Sequence, residues 1–198
     1  ACRGGTTTAY HFGDDASMLP KYGWFYENAN ETTHPIGQKL PNPWGLYDMH
    51  GNVAEWVFDA LLKDGYKQFD GKKLKMEEAI AWPKKLYPRV SRGGNWDLDA
   101  EDCRSAARLG SADDEWRAED PNIPLSPWWF TSGPALGVGM RLIRPLGVVE
   151  GKDRDRYWEA TLEQIIEDVD YRIDEEGRGA RGFVDPRLPG AIEELKDK

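Results

Sequence analysis

No run of about 18 apolar residues occurs in the 198-residue chain, so no segment reads as a membrane-spanning helix. Basic residues are in short supply: Lys and Arg total 26 against 35 Asp and Glu, a formal net charge of −9. Phosphate backbones are bound by basic surfaces, and this balance argues against nucleic acid as a general partner. No repeat recurs and no low-complexity run interrupts the chain. No signal-peptide pattern is visible at the start, but the chain opens without Met and inside a motif, so that absence excludes nothing. Histidine is scarce, and the spacing of His11, His34 and His50 puts no two on one helical face. Each reads as a structural or surface imidazole. Cysteine is scarcer, and nothing marks a base beside Cys2 or Cys103, so the pattern does not identify a reactive thiol.

Apolar residues make up 39% of the chain, with nine Trp, which is enough to bury the core of one domain with an appendage. The stretch Gly45-Leu46-Tyr47-Asp48-Met49-His50-Gly51-Asn52-Val53-Ala54-Glu55-Trp56 is the one the chain is arranged around. Asn42-Pro43 opens it as a turn. Asp48, Asn52 and Glu55 then bring two carboxylates and an amide close to bare backbone carbonyls. Calcium takes six to eight oxygen ligands and tolerates irregular geometry, so it suits such a loop. The same residues also read as a turn hydrogen-bonded to itself, with Glu55 in solvent. Spacing alone leaves both readings open.

These residues carry a resemblance. Asn42-Pro43 through Trp56 is similar to the central signature of the formylglycine-generating enzyme (sulfatase-modifying factor) family. Ala1-Cys2-Arg3-Gly4-Gly5-Thr6, His11-Phe12-Gly13, His34-Pro35-Ile36-Gly37 and Arg92-Gly93-Gly94-Asn95-Trp96 agree in order. So do Cys103-Arg104-Ser105-Ala106-Ala107-Arg108 and Gly139-Met140-Arg141-Leu142. The resemblance implies an α+β, C-type-lectin-like fold of short strands, two helices and long loops over residues 1–146, with residues 147–198 as a charged helical extension. It also implies calcium held by the side chains of Asp48 and Glu55 and by the carbonyls of Gly51 and Val53. Glu27-Asn28-Ala29-Asn30-Glu31 sits where the family can place another calcium loop; a solvated turn is the expectation there, because the later ligands have no counterpart. In the family a strand and helix precede the block matching Ala1-Cys2-Arg3. The chain therefore reads as an N-terminally truncated part of the domain, with the missing part as a partner. Family members work in secretory, extracytoplasmic and cytoplasmic settings, so kinship chooses no compartment.

Members that oxidise a substrate cysteine to formylglycine bind copper(I) through two cysteines, since soft thiolates suit that ion. Counting from Gly93-Gly94, those positions fall at Leu98 and Cys103, and Asn95 stands at the family's active-site serine. Leucine offers no thiolate, so copper is not expected. The resemblance also places a disulfide between the Cys2 segment and the Arg104–Arg108 strand, nearest Ser105; a Cys2–Cys103 bridge and two free thiols both remain open.

Hydrophobic periodicity predicts a strand over Val53–Asp59 with Ala54, Trp56 and Phe58 on one face. Further strands are predicted over Arg89–Ser91, Arg104–Leu109 and Val138–Ile143, and a short helix near Met76–Trp82. Trp158, Leu162, Ile165, Ile166, Val169 and Ile173 recur at helical spacing, predicting one amphipathic helix over Asp153–Ile173. The leading functional expectation is a non-oxidising, calcium-stabilised module that binds a peptide, protein or small-molecule ligand. Asn95, Trp96, Asp99, Trp128 and Trp129 would line its groove. The alternative is a divergent oxygen-using oxidoreductase whose metal ligands come partly from the missing N-terminal region.

Overall fold

The computed structural model describes residues 1–75, 78–85, 88–111, 137–142 and 159–177, with the single positions 151, 155, 157 and 190. Trp128 and Trp129 lie outside the described residues. The chain falls into two compact units, Ala1–Val148 and Val149–Lys198.

In the first unit the end of the central signature and the residues after it form strand β1, Ala54–Ala60. It pairs antiparallel with β2, Arg89–Arg92, through Glu55 opposite Arg92 and Trp56 opposite Ser91. The register then shifts before Ala60 meets Arg89. Phe58, expected on one face with Ala54 and Trp56, lies within the shifted stretch and is 46% exposed, near Trp82. Strand β3, Leu109–Gly110, runs antiparallel to β2. Strand β4, Val138–Gly139, runs parallel to β1 with Glu55 opposite Gly139, which gives a mixed sheet in the order β3-β2-β1-β4.

The predicted third and fourth strands are shorter than expected. Ala100–Cys103 forms a 3-10 helix, and Arg104 to Arg108 turn before β3. Another 3-10 helix, Ala16–Lys21, appears where only loop was expected; Asp15 caps it by accepting from the Ser17 N–H at 2.9 Å. Between residues 78 and 82 there is a turn, with the Ala79 N–H donating to the Lys75 carbonyl at 3.1 Å, and no α-helix. Few helices and a mixed sheet make the unit α+β.

The largest buried side chains sit outside the sheet. Tyr10, Leu19, Phe25 and Cys103 form the core cluster, with Ala9, Phe12 and Ala100 against it. Short 3-10 helices and loops supply this core, so backbone and side-chain hydrogen bonds must fix their course.

In the second unit helix α1 covers Glu163–Asp174. Ile165 is buried and Ile166, Val169 and Ile173 are half-buried, while Glu163, Gln164, Glu167 and Asp170 are exposed. The single helix predicted over Asp153–Ile173 is corrected, since residues 159–162 are not helical and α1 starts only at Glu163; the part of the apolar stripe that lies on α1 is its less exposed face.

Candidate functional site

Buried asparagines build the central corner. Asn42 donates from Nδ2 to the carbonyls of Ala1 and Cys2 at 2.8 and 3.2 Å. Its Oδ1 accepts from the Trp44 and Leu46 N–H groups at 2.9 and 3.0 Å. Asn52 holds His34 from both sides, accepting from its N–H and donating to its carbonyl, each at 3.0 Å. Its own N–H donates to the Trp24 carbonyl at 2.7 Å, and its carbonyl accepts from the Trp96 N–H at 3.0 Å. Asn52 is therefore a staple between loops rather than part of a self-contained turn. Asp48 and Asn52 both take left-handed φ values, 53° and 66°, where a short polar side chain is tolerated best.

His50 lies beneath this corner with no exposed surface. Its Nδ1 is 2.7 Å from the Cys103 carbonyl, which can only accept, so Nδ1 carries the proton. Nε2 then accepts from the His11 N–H at 3.3 Å and from His11 Nδ1 at 3.0 Å. That assignment leaves His11 Nε2 as a bare acceptor, buried and without a partner among the described residues. Burial pushes the His50 imidazole down to about 4, with the His11 charge adding to the shift and the Cys103 hydrogen bond opposing it. Burial also lowers His11. The unfolded chain thus takes up protons before the folded one, and stability falls as pH drops from about 6.5 through about 4. We expect His50 to contribute roughly 3 kcal/mol of this loss. Urea unfolding between pH 7 and pH 4 measures it as the difference in slope between the wild type and His50→Gln; parallel slopes would exclude it.

Cys2 and Cys103 are both free. The Cys2 sulfur lies 3.5 Å from the Ser105 hydroxyl, 3.5 Å from the Met49 carbonyl, and 3.8 and 4.0 Å from the two ring nitrogens of His50. Both His50 ring nitrogens are already committed, Nδ1 to the Cys103 carbonyl and Nε2 to His11, and the sulfur stands at the long limit of a hydrogen bond from each. This is a packed thiol and not a nucleophile–base pair. Burial pushes the Cys103 thiol up to about 12, helped by the charges of Asp102 and Asp99. Leu98 and Asp102 line a small cavity of about 20 Å³ with Ser91, Arg92, Gly94 and Arg108. That is room for about one water.

Of the expected groove residues, Asn95 and Trp96 are corrected to the interior, at 1% and 7% exposure. The chain turns inward after β2, the Asn95 Oδ1 accepts from the Asp97 N–H at 3.0 Å, and Trp96 is tied to Asn52. Asp99 is exposed at the start of the Ala100–Cys103 helix. His34 lies apart, stacked on Trp24 at 3.7 Å, with the Lys39 Nζ 3.6 Å from the Trp24 ring centroid. The Asn28 amide and the Ala29 carbonyl are committed to Phe25, Gly23 and His34, so the Glu27–Glu31 loop is a closed turn.

The calcium ligands implied by the resemblance divide. Asp48 Oδ2 accepts from the Gly37 N–H at 2.8 Å, while Oδ1 is buried without a partner among the described residues, which suits a cation. Both Glu55 oxygens, however, are taken by Arg141: Nε stands 3.1 and 3.0 Å from them and Nη2 2.7 Å from Oε1. As arranged, both Glu55 oxygens are engaged by the guanidinium, so a calcium ion would have to compete with Arg141 for this carboxylate. Among the described residues no three His, Cys, Asp or Glu side chains cluster as a metal site. Sequence reasoning missed Arg141 because the partner follows β4, far from Glu55 along the chain.

Comparison with known proteins agrees with the blocks read from the sequence. The chain is similar to the serine/threonine-protein kinase pkn1 of Chlamydia pneumoniae, 41% identical over 68 residues, covering 34% of this chain and 10% of the kinase. It is similar to the protein of the same name from Chlamydia caviae, 34% identical over 110 residues, covering 54% of this chain and 16% of the kinase. The chain thus spans less than a fifth of the length of these relatives. Among solved structures it resembles Treponema denticola variable protein 1, at 31% identity and a TM-score of 0.48, over 56% of this chain and 38% of that one. The sulfatase-modifying factor enzyme 1-like domain matches residues 1–119, and the chain belongs to that family.

Proposed function

We propose that this domain is a non-oxidising member of its family, a lectin-like scaffold that binds a peptide, protein or small-molecule ligand within a longer protein. The observation that carries the reading is the replaced thiolate pair. Leu98 supplies no sulfur, and Cys103 is a buried thiol held protonated well above neutral pH. Copper(I) thiolate chemistry asks for two ionised sulfurs, and the remaining cysteine, Cys2, is packed on His50 and Ser105. The cavity beside Leu98 has room for about one water and is too small for a peptide side chain. The match to a small part of two longer kinases supports a module that works beside other domains.

The test supplies the full-length protein with copper(I), oxygen and cysteine-containing peptides, and reads aldehyde formation by mass spectrometry. No aldehyde is expected, and steady aldehyde production would overturn the proposal. A peptide library then reads the binding half of the claim. Binding that Asp99→Asn or Trp128→Ala weakens at an unchanged melting temperature supports it, and a library without a binder counts against it.

A further inference from the structure

We propose that the Arg141 guanidinium closes the Asp48–Glu55 corner in place of a metal ion, so that the fold of this domain does not depend on calcium. The sheet itself delivers this residue. Gly139 lies opposite Glu55 in the parallel β1–β4 ladder, which brings the chain that follows β4 alongside Glu55. From there the guanidinium makes three contacts of 2.7 to 3.1 Å with the Glu55 carboxylate. Its Nη2 also donates to the Tyr47 carbonyl at 3.0 Å. One side chain therefore ties β1, the loop carrying Asp48 and the segment after β4.

A cation bound through Glu55 would link the same pieces, and the two arrangements compete for the same carboxylate. Calcium needs the carboxylate oxygens that the guanidinium already occupies, and a divalent ion beside a guanidinium is repelled. The planar fork of arginine matches a carboxylate with two parallel N–H groups, which gives directed bonds without a metal. The pair is partly open to solvent, with side-chain exposures of 37% for Arg141 and 22% for Glu55. Asp48 adds negative charge to the same environment: after its hydrogen bonds to Glu55, the charges of Glu55 and Asp48 help hold the Arg141 guanidinium above its ordinary proton affinity. Asp48 Oδ1 itself is buried and unpartnered among the described residues.

Thermal unfolding of the full-length protein separates the alternatives. Calcium at millimolar concentration and EGTA should leave the wild-type midpoint of this domain within about 1 °C of each other. Arg141→Gln should lower the midpoint by about 2–4 °C, the shift expected for a loss near 1 kcal/mol in a domain of this size. Arg141→Lys keeps the charge but loses the fork, and should fall between the two. A wild-type midpoint that rises with calcium and falls with EGTA would overturn the inference, and that arm needs no variant to fold. An Arg141→Gln protein that melts with the wild type would overturn it as well. Neither result bears on the oxidase assay, so this inference and the proposed function fail separately.

Discussion

Gly51→Ala should not fold. Gly51 has φ +86°, and a Cβ placed there would stand 2.0 Å from the Trp24 carbonyl oxygen. Real carbon–oxygen contacts do not reach that distance, and the obstacle is backbone, so no rotamer change relieves it. Neither strand of the chain can withdraw easily. The Gly51 N–H donates to the Gly93 carbonyl at 2.7 Å, and the Asn52 N–H donates to that same Trp24 carbonyl at 2.7 Å. Moving Trp24 breaks the Asn52 bond, and moving Gly51 breaks the bond to Gly93. Steric and conformational terms together should exceed about 4 kcal/mol, a large share of the stability of a small domain. Gly37→Ala is the control: its φ is +78°, but nothing lies within 4 Å of the added carbon. That variant should lose only about 1–2 kcal/mol of left-handed strain. Near-ultraviolet circular dichroism and thermal melts distinguish the two. A Gly51→Ala protein that melts within a few degrees of Gly37→Ala would refute the close approach of Trp24.

Ser105→Cys should form a disulfide with Cys2 and strengthen the fold by about 2–4 kcal/mol under oxidising conditions. The Ser105 hydroxyl is 3.5 Å from the Cys2 sulfur. Closing to the ~2.05 Å of a sulfur–sulfur bond needs a small side-chain adjustment. Both ends are already fixed. Asn42 holds the Cys2 carbonyl, the Ser105 N–H donates to the Ala9 carbonyl at 2.8 Å, and Arg92 donates to the Ser105 carbonyl. The residues are 103 apart in sequence, so the bridge removes a large loop from the unfolded ensemble, about 5 kcal/mol as an upper bound in the chain-entropy account. Urea unfolding with and without dithiothreitol should show the gain in the variant and none in the wild type. Thiol titration should leave Cys103 reduced, since it lies buried in the Tyr10–Leu19–Phe25 cluster. A variant that keeps three free thiols after oxidation would refute the Cys2–Ser105 contact.

Local pattern carried part of this fold. The run after the central signature and the Arg89–Arg92 run were legible as strands, because period-two alternation and flanking turns are written in adjacent residues. The stripe of Ile165, Ile166, Val169 and Ile173 was legible for the same reason, at helical period. The site was less so. His11 and His50 meet 39 positions apart because a third segment offers the Cys103 carbonyl, and no spacing rule encodes that meeting. Glu55 read as a metal ligand, and the guanidinium that engages its oxygens comes from a residue 86 positions away. Asn95 and Trp96 read as a groove because polar and aromatic neighbours after a strand do so often, and only the inward turn of the chain buries them. Phe58 shows the converse: a register shift between two paired strands undid an alternation that was plain in the sequence. Each failure came from a contact distant along the chain and close in space.

The parallel pairing of Ala54 with Val138 has a consequence for how this domain is made. On the ribosome, β1 leaves the exit tunnel long before the strand that covers its outer edge has been translated. Until then the row of amide and carbonyl groups along β1 stays open, as a template for other chains. The N-terminal core waits as well, because Tyr10 and Leu19 are covered by the helix that ends at Cys103. A domain whose sheet edge and core both need late residues is expected to fold as one late event, in the slow range set by distant pairings, with its open edge exposed to aggregation until then.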